Sequence, residues 1–95
     1  MEVARVSLPN PDVMANTIHS EVQAERNRQD DKWGEQNHDD FVWGAILGEE
    51  VGEALQQALW QHFEKGAGDV RGELVQVAAV AIAWIECIDR RNGGH

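Results

Sequence analysis

Leu74-Val75-Gln76-Val77-Ala78-Ala79-Val80-Ala81-Ile82-Ala83-Trp84-Ile85-Glu86-Cys87-Ile88 is the longest apolar run in the chain. It shows no strand-like alternation, and it is too short to span a bilayer. Asp69 ahead of it suits a helix N-cap, and Arg90 and Arg91 behind it suit the negative end of a helix dipole. The run therefore reads as a third helix from Asp69 to about Arg91. This helix is apolar nearly all round, so most of its sides need cover. Three short helices cannot easily enclose it, and a second subunit is expected to complete its burial.

Upstream, Lys65-Gly66-Ala67-Gly68 reads as a turn. Before that turn, Phe41, Leu47, Val51, Leu55 and Leu59 recur at helical spacing, so a second helix is expected from a cap at Asp39 or Asp40 to about residue 63. Gly44, Gly48 and Gly52 recur every four residues along it. Each glycine costs a helix roughly 1 kcal/mol relative to alanine. A strip without Cβ atoms lets another helix or a ligand come close, and helix packing is the preferred reading. Asn10-Pro11-Asp12 reads as a further helix start. Met14, Ile18 and Val22 follow at four-residue spacing, which places a first helix at about 12–30. The polar stretch from Gln29 to Asp40, broken at Trp33-Gly34, reads as a loop. The fold class is all-α: an antiparallel bundle of three main helices, completed by oligomerisation. Residues 1–95 form a single domain, with 1–10 and 92–95 expected to be flexible.

Seventeen acids against eight bases give a net charge of −9, which disfavours a basic nucleic-acid groove. The single cysteine, Cys87, lies in the apolar run and reads as a buried small hydrophobe. Met1 to Pro11 lacks the apolar stretch of a signal peptide. The expectation is a cytoplasmic protein with no membrane and no nucleic-acid partner.

The residues that suggest chemistry begin with Glu49-Glu50-Val51-Gly52-Glu53. On a helix, Glu50 and Glu53 sit about 60° apart and Glu49 and Glu53 about 40° apart. Like charges so placed repel, and no Lys or Arg lies three or four residues away to relieve them. A divalent cation would turn that repulsion into ligation, since Mg²⁺ takes carboxylate oxygens and keeps waters to exchange for phosphate oxygens. The alternative is a solvated acidic face. The third helix adds Glu73 and Gln76, three apart on one side. Counted from a turn near residue 67, Glu53 and Glu73 do not fall level, so tilt or a longer loop must bring them together.

The segment from Glu25 to His38 holds Arg26, Arg28 and Lys32, three of the eight bases, beside Trp33 and Gly34. Cations neutralise phosphate and an indole offers a stacking face, so Arg28, Lys32, Trp33 and His38 are candidate substrate contacts. The alternative for this segment is an ordinary exposed loop, with Arg28 paired to Glu25 or Asp31.

Together these pieces resemble the MazG-like family of all-α nucleoside triphosphate pyrophosphohydrolases, over about residues 20–90. That family carries E-E-x-x-E on one helix and E-x-x-D on the next. Here the first motif is Glu49-Glu50-Val51-Gly52-Glu53 and the second Glu73-Leu74-Val75-Gln76, with 19 residues between Glu53 and Glu73. The resemblance implies Glu49, Glu50, Glu53 and Glu73 as catalytic residues, with Glu50, Glu53, Glu73 and Gln76 around Mg²⁺. It implies hydrolysis of a nucleoside triphosphate to monophosphate and pyrophosphate in a homodimer or homotetramer, in a house-cleaning role. The chain departs from the pattern at Gln76, where the family's last Asp is expected. An amide oxygen ligates Mg²⁺ more weakly than a carboxylate. A non-catalytic helical oligomerisation or nucleotide-binding module with a degenerate metal site is the competing reading.

Overall fold

The computed structural model describes residues 10–64, 66 and 68–93. Three helices make up the architecture: α1 Pro11–Trp33, α2 Asp40–Leu59 and α3 Val70–Arg91. A single π-helical turn, Trp60–Glu64, extends α2. No strand occurs among the described residues.

Each helix begins at a residue whose side chain satisfies an orphan N–H. Asn10 accepts from Val13 N, Asp39 from Val42 N and Asp69 from Gly72 N, each at 2.9 Å. Most of the expected flexible ends lie outside the described residues. Inside them, Asn10 is a cap, and Asn92-Gly93 form the closing turn of α3 through a bond from Asn92 N to the Ile88 carbonyl (2.9 Å).

The first helix is longer than its hydrophobic spacing predicts. It continues through Gln29 to Trp33, so Lys32 and Trp33 stand on a helix and not in a loop. Polarity misled the reading here: Gln, Asp and Lys on an exposed helix face are compatible with helix. The stop comes at Gly34, whose φ of 71° is open to glycine and whose N–H bonds to the Asp30 carbonyl at 2.8 Å.

α3 is the central element. α2 packs antiparallel along it and α1 packs parallel to it, whereas α1 and α2 are not in close backbone contact. The arrangement is thus an α2–α3 hairpin with α1 laid against α3, leaving a cleft between α1 and α2. The core joins Trp43, Val80, Ala83 and Cys87, with Ile46, Leu47 and Trp84 packed against it. The free Cys87 is buried, as its apolar surroundings suggest.

The stripe that announced α2 mostly faces outward. Only Leu47 of that set joins the core, while Phe41, Val51, Leu55 and Leu59 are exposed. Spacing alone cannot tell which of two apolar faces of a helix meets its own chain, and α2 has two. α3 also keeps an uncovered side at Leu74 and Ile85. No large side chain is fully buried among the described residues.

Ion pairs tie α1 to α3 along its length. Glu21 accepts from Arg71 at 2.6 and 2.7 Å. Arg26, buried to 8% exposure, donates to Glu86 at 2.6 and 3.0 Å and also reaches Asp30. At the far end of α3, Arg90 and Arg91 donate to the carbonyls of Gln36 and His38, pinning the α1–α2 connection. Among the described residues no helix is long and apolar enough to cross a membrane.

Candidate metal centre

The register of α2 on α3 is set by a clamp at the π-helical turn. Asp69 N donates to Gln57 Oε1 at 3.0 Å, and Gln61 Nε2 donates to the Gly68 carbonyl at 2.7 Å. Gly68 lies so close that a Cβ would fall 2.5 Å from the Gln57 carbonyl oxygen. Gln57 is therefore level with Asp69. Glu53 is one turn back from Gln57 and Glu73 one turn on from Asp69, so the two come opposite each other. A turn centred near residue 67 would not do this. The mismatch disappears because the pairing is centred near residue 63, in the π-helical turn, and not near residue 67.

The same register brings Glu50 opposite Gln76. As a result Glu50, Glu53 and Glu73 each offer a carboxylate oxygen within 4.8 Å of the others. Glu50 and Glu73 are half-buried and Glu53 is exposed. Burial, then Glu53, Glu73, Glu49 and Glu25, push the Glu50 carboxyl above its ordinary range. Burial followed by Glu53 does the same to Glu73. Burial is the larger cause in both, and neighbouring negative charge adds to it.

The arginines are committed elsewhere. Among the described residues they pair with Glu21, Glu25, Asp30, Glu35, Asp40 and Glu86, and none pairs with Glu49, Glu50, Glu53 or Glu73. The donor set is hard oxygen, anionic and closely grouped, which suits Mg²⁺ and not a soft-ligand metal.

The acidic group adjoins the cleft between α1 and α2, a cavity of about 720 Å³ floored by α3. Glu49, Glu50 and Gln76 line it on the acidic side, and Arg28, Lys32, Trp33 and Gly34 line it on the α1 side. Glu53 and Glu73 stand just outside, so the cleft and the cluster meet at Glu50. Lys32 Nζ sits 4.7 Å over the Trp33 ring, holding a cation and an indole together at the cleft wall.

Of the four candidate substrate contacts, Lys32 and Trp33 present free groups to this space. Arg28 lines it too, but its guanidinium is held by Glu25 at 2.5 and 2.9 Å. His38 is elsewhere: it bonds to Gln36 at 3.0 Å, meets Trp43 edge-on, and faces a separate depression with Cys87 and Arg91.

The sequence offers Glu25 only as a partner for Arg28, and that pair forms; its place beside the acidic group is the part the sequence does not show. Its side chain is only 10% exposed, and its charge is among those raising Glu50. Arg28 first, against the opposing effect of burial, and then Gln76 and Gln29 hold the Glu25 carboxyl below the ordinary range. Only the register of α1 on α3 reveals this, and no short motif encodes it.

No family model, curated protein or solved structure matches the chain.

Proposed function

We propose that the protein is a Mg²⁺-dependent nucleoside triphosphate pyrophosphohydrolase, releasing a nucleoside monophosphate and pyrophosphate. The observation that carries this reading is the group of three carboxylates, without a basic partner among the described residues, beside a cleft walled by a cation and an indole. Glu50, Glu53 and Glu73 would hold the ion, with the Gln76 amide oxygen as a weaker neighbour. Bound there, Mg²⁺ would withdraw charge from the phosphoryl oxygens. Glu49, exposed on the cleft side of α2, would accept the proton of the attacking water. Lys32 would neutralise phosphate charge, and Trp33 would offer its face to the base.

This reading includes a cytoplasmic enzyme, a homodimer or homotetramer, and a house-cleaning role against non-standard nucleotides. Gln76 in place of an acid favours one competing reading, a nucleotide-binding module whose metal site no longer turns over. Incubation with a panel of triphosphates, with and without Mg²⁺, separates the two. Monophosphate and pyrophosphate in equal amounts, lost in Glu53→Gln, support the enzyme. Mg²⁺-dependent binding of triphosphate without products supports the binding module. Release of diphosphate and orthophosphate would contradict the assigned bond.

A further inference from the structure

The cleft runs along α3 from Gln76, beside the carboxylate group, to Glu86 and Arg90. Gln76, Val80, Ala83 and Glu86 fall on one side of that helix, so buried Val80 and Ala83 make an apolar floor between two polar ends. At 1.5 Å per residue the helix separates Gln76 from Glu86 by about 15 Å. α1 runs parallel to α3, which sets Asp30 and Trp33 toward the Glu86 end, where the Gln36 carbonyl meets Arg90 at 3.0 Å. Arg26 Nη2 donates to both Glu86 Oε1 (2.6 Å) and Asp30 Oδ1 (3.0 Å). A buried guanidinium therefore holds two carboxylates together at the end of the cleft far from Glu50, on the side where Trp33 offers its ring.

Most polar groups at this end are already engaged. Arg26 also donates to Gln29, and Gln29 gives its own amide N–H to Glu25. Arg90 donates to Asn37 and pairs with Glu35. Three side chains lining this end keep an atom without a partner among the described residues. Glu86 keeps Oε2 and Asp30 keeps Oδ2, because Arg26 bonds only to their other oxygens. Gln36 keeps Nε2, because His38 engages its Oε1. The Glu86 and Asp30 side chains are 48% and 53% exposed, so a ligand in the cleft can reach them.

The free set is two acceptors and one donor, since an ionised carboxylate can only accept. Among the common bases, guanine alone carries the complement on its pairing edge: N1–H and the N2 amino group donate, and O6 accepts. Adenine and cytosine place a ring-nitrogen acceptor beside a single amino group. Uracil and thymine place one N–H between two carbonyls. Each of these would turn an acceptor toward a carboxylate, and a site built to hydrogen-bond one edge discriminates against an edge that leaves its groups unpaired. We propose that the Glu86 end of the cleft selects guanine, with Glu86 and Asp30 accepting from N1–H and the N2 amino group and the Gln36 amide donating to O6. The ring stacks on Trp33. This assignment rests on the nucleoside triphosphate reading and names its base.

Calorimetric titration of the full chain in Mg²⁺ with the uncleavable α,β-methylene analogues of dGTP, dITP, dATP, dCTP and dUTP tests it. Hypoxanthine differs from guanine only by the missing N2 amino group. The dGTP analogue is expected to bind about ten- to a hundredfold more tightly than the dITP analogue, the worth of one hydrogen bond to a charged group. The other three are expected to bind more weakly than the dGTP analogue by at least as much. Glu86→Gln and Asp30→Asn are expected to reduce the preference for dGTP over dITP. Asp30 belongs to a half-exposed i,i+4 pair that contributes little to folding, so Asp30→Asn keeps the test informative if Glu86→Gln loosens α1. Equal binding of all five analogues would overturn the base assignment and leave the triphosphate reading standing. Binding of none would overturn both. A guanine preference unchanged in both variants would overturn the assignment of these residues.

Discussion

Replacing Glu53 by Gln removes a charge that now faces Glu49, Glu50 and Glu73 while keeping the side chain's shape. Like charges at helical spacing cost a few tenths of a kcal/mol each when exposed, so relief of these contacts stabilises the fold by about 0.5–1 kcal/mol. For a domain of this size one kcal/mol moves the melting temperature by about 4–8 °C. Without divalent cations, Glu53→Gln is therefore expected to melt about 2–8 °C above the native chain. With Mg²⁺ the order reverses. Ligand at ten times its Kd stabilises the native chain by about 1.4 kcal/mol, because RT ln(1 + [L]/Kd) is then RT ln 11. The variant, lacking one of three carboxylates, is expected to gain much less. Thermal unfolding followed by circular dichroism, in chelator and across a Mg²⁺ titration, reads both quantities. A variant less stable than the native chain in chelator, or two chains responding equally to Mg²⁺, would refute the reasoning.

Other consequences can be checked in the same way. Glu50 and Glu73 have folded pKa values above their unfolded ones, so their contribution to stability is greatest below about pH 4.5 and is lost as pH rises through the folded values. The double variant Glu50→Gln, Glu73→Gln should accordingly gain stability over the native chain as pH rises from 4 to 7, measured by urea unfolding without metal, with little difference in acid. Gly68→Ala drives a Cβ into the Gln57 carbonyl and should cost roughly 1–3 kcal/mol, while shrinking the Mg²⁺-induced rise in melting temperature because the clamp that aligns Glu53 with Glu73 shifts. Arg26→Ala leaves Glu86 without its partner and opens the α1–α3 contact. Since Glu86 is half-exposed, a loss of about 1–3 kcal/mol by urea unfolding is expected, below the cost of breaking a fully buried pair.

Much of the fold was legible because local signals agreed. Asn10, Asp39 and Asp69 are strong caps followed by helix-compatible sequence, and all three start helices. The end of α1 was less legible, since hydrophobic spacing fades after Val22 while the helix continues on polar residues to Gly34. The orientation of α2 was hidden because apolar residues occupy both its inner and outer faces. Trp43 and Ile46 turned out to face the core, and Phe41 and Leu55 to face solvent.

At the site, Glu50 and Glu53 were readable from like-charge spacing on α2, and Glu73 from its place three residues before Gln76 on α3. Their meeting was not, because it depends on the side-chain clamp from Gln57 to Asp69 across a loop whose length alone predicts a mismatch. Glu25 and the separation of His38 from the cleft depend on how α1 lies against α3. That is a matter of tertiary ion pairs such as Arg26–Glu86, which leave no periodic trace in the sequence.

The central claim is that the three carboxylates form a divalent-cation site. Titration with Mn²⁺, followed by electron paramagnetic resonance of the free ion, measures this without requiring turnover. Saturable binding that Mg²⁺ competes away and that Glu50→Gln abolishes is expected. Weak, non-saturating binding, unchanged in Glu50→Gln, would make the cluster an ordinary solvated acidic face and contradict the account.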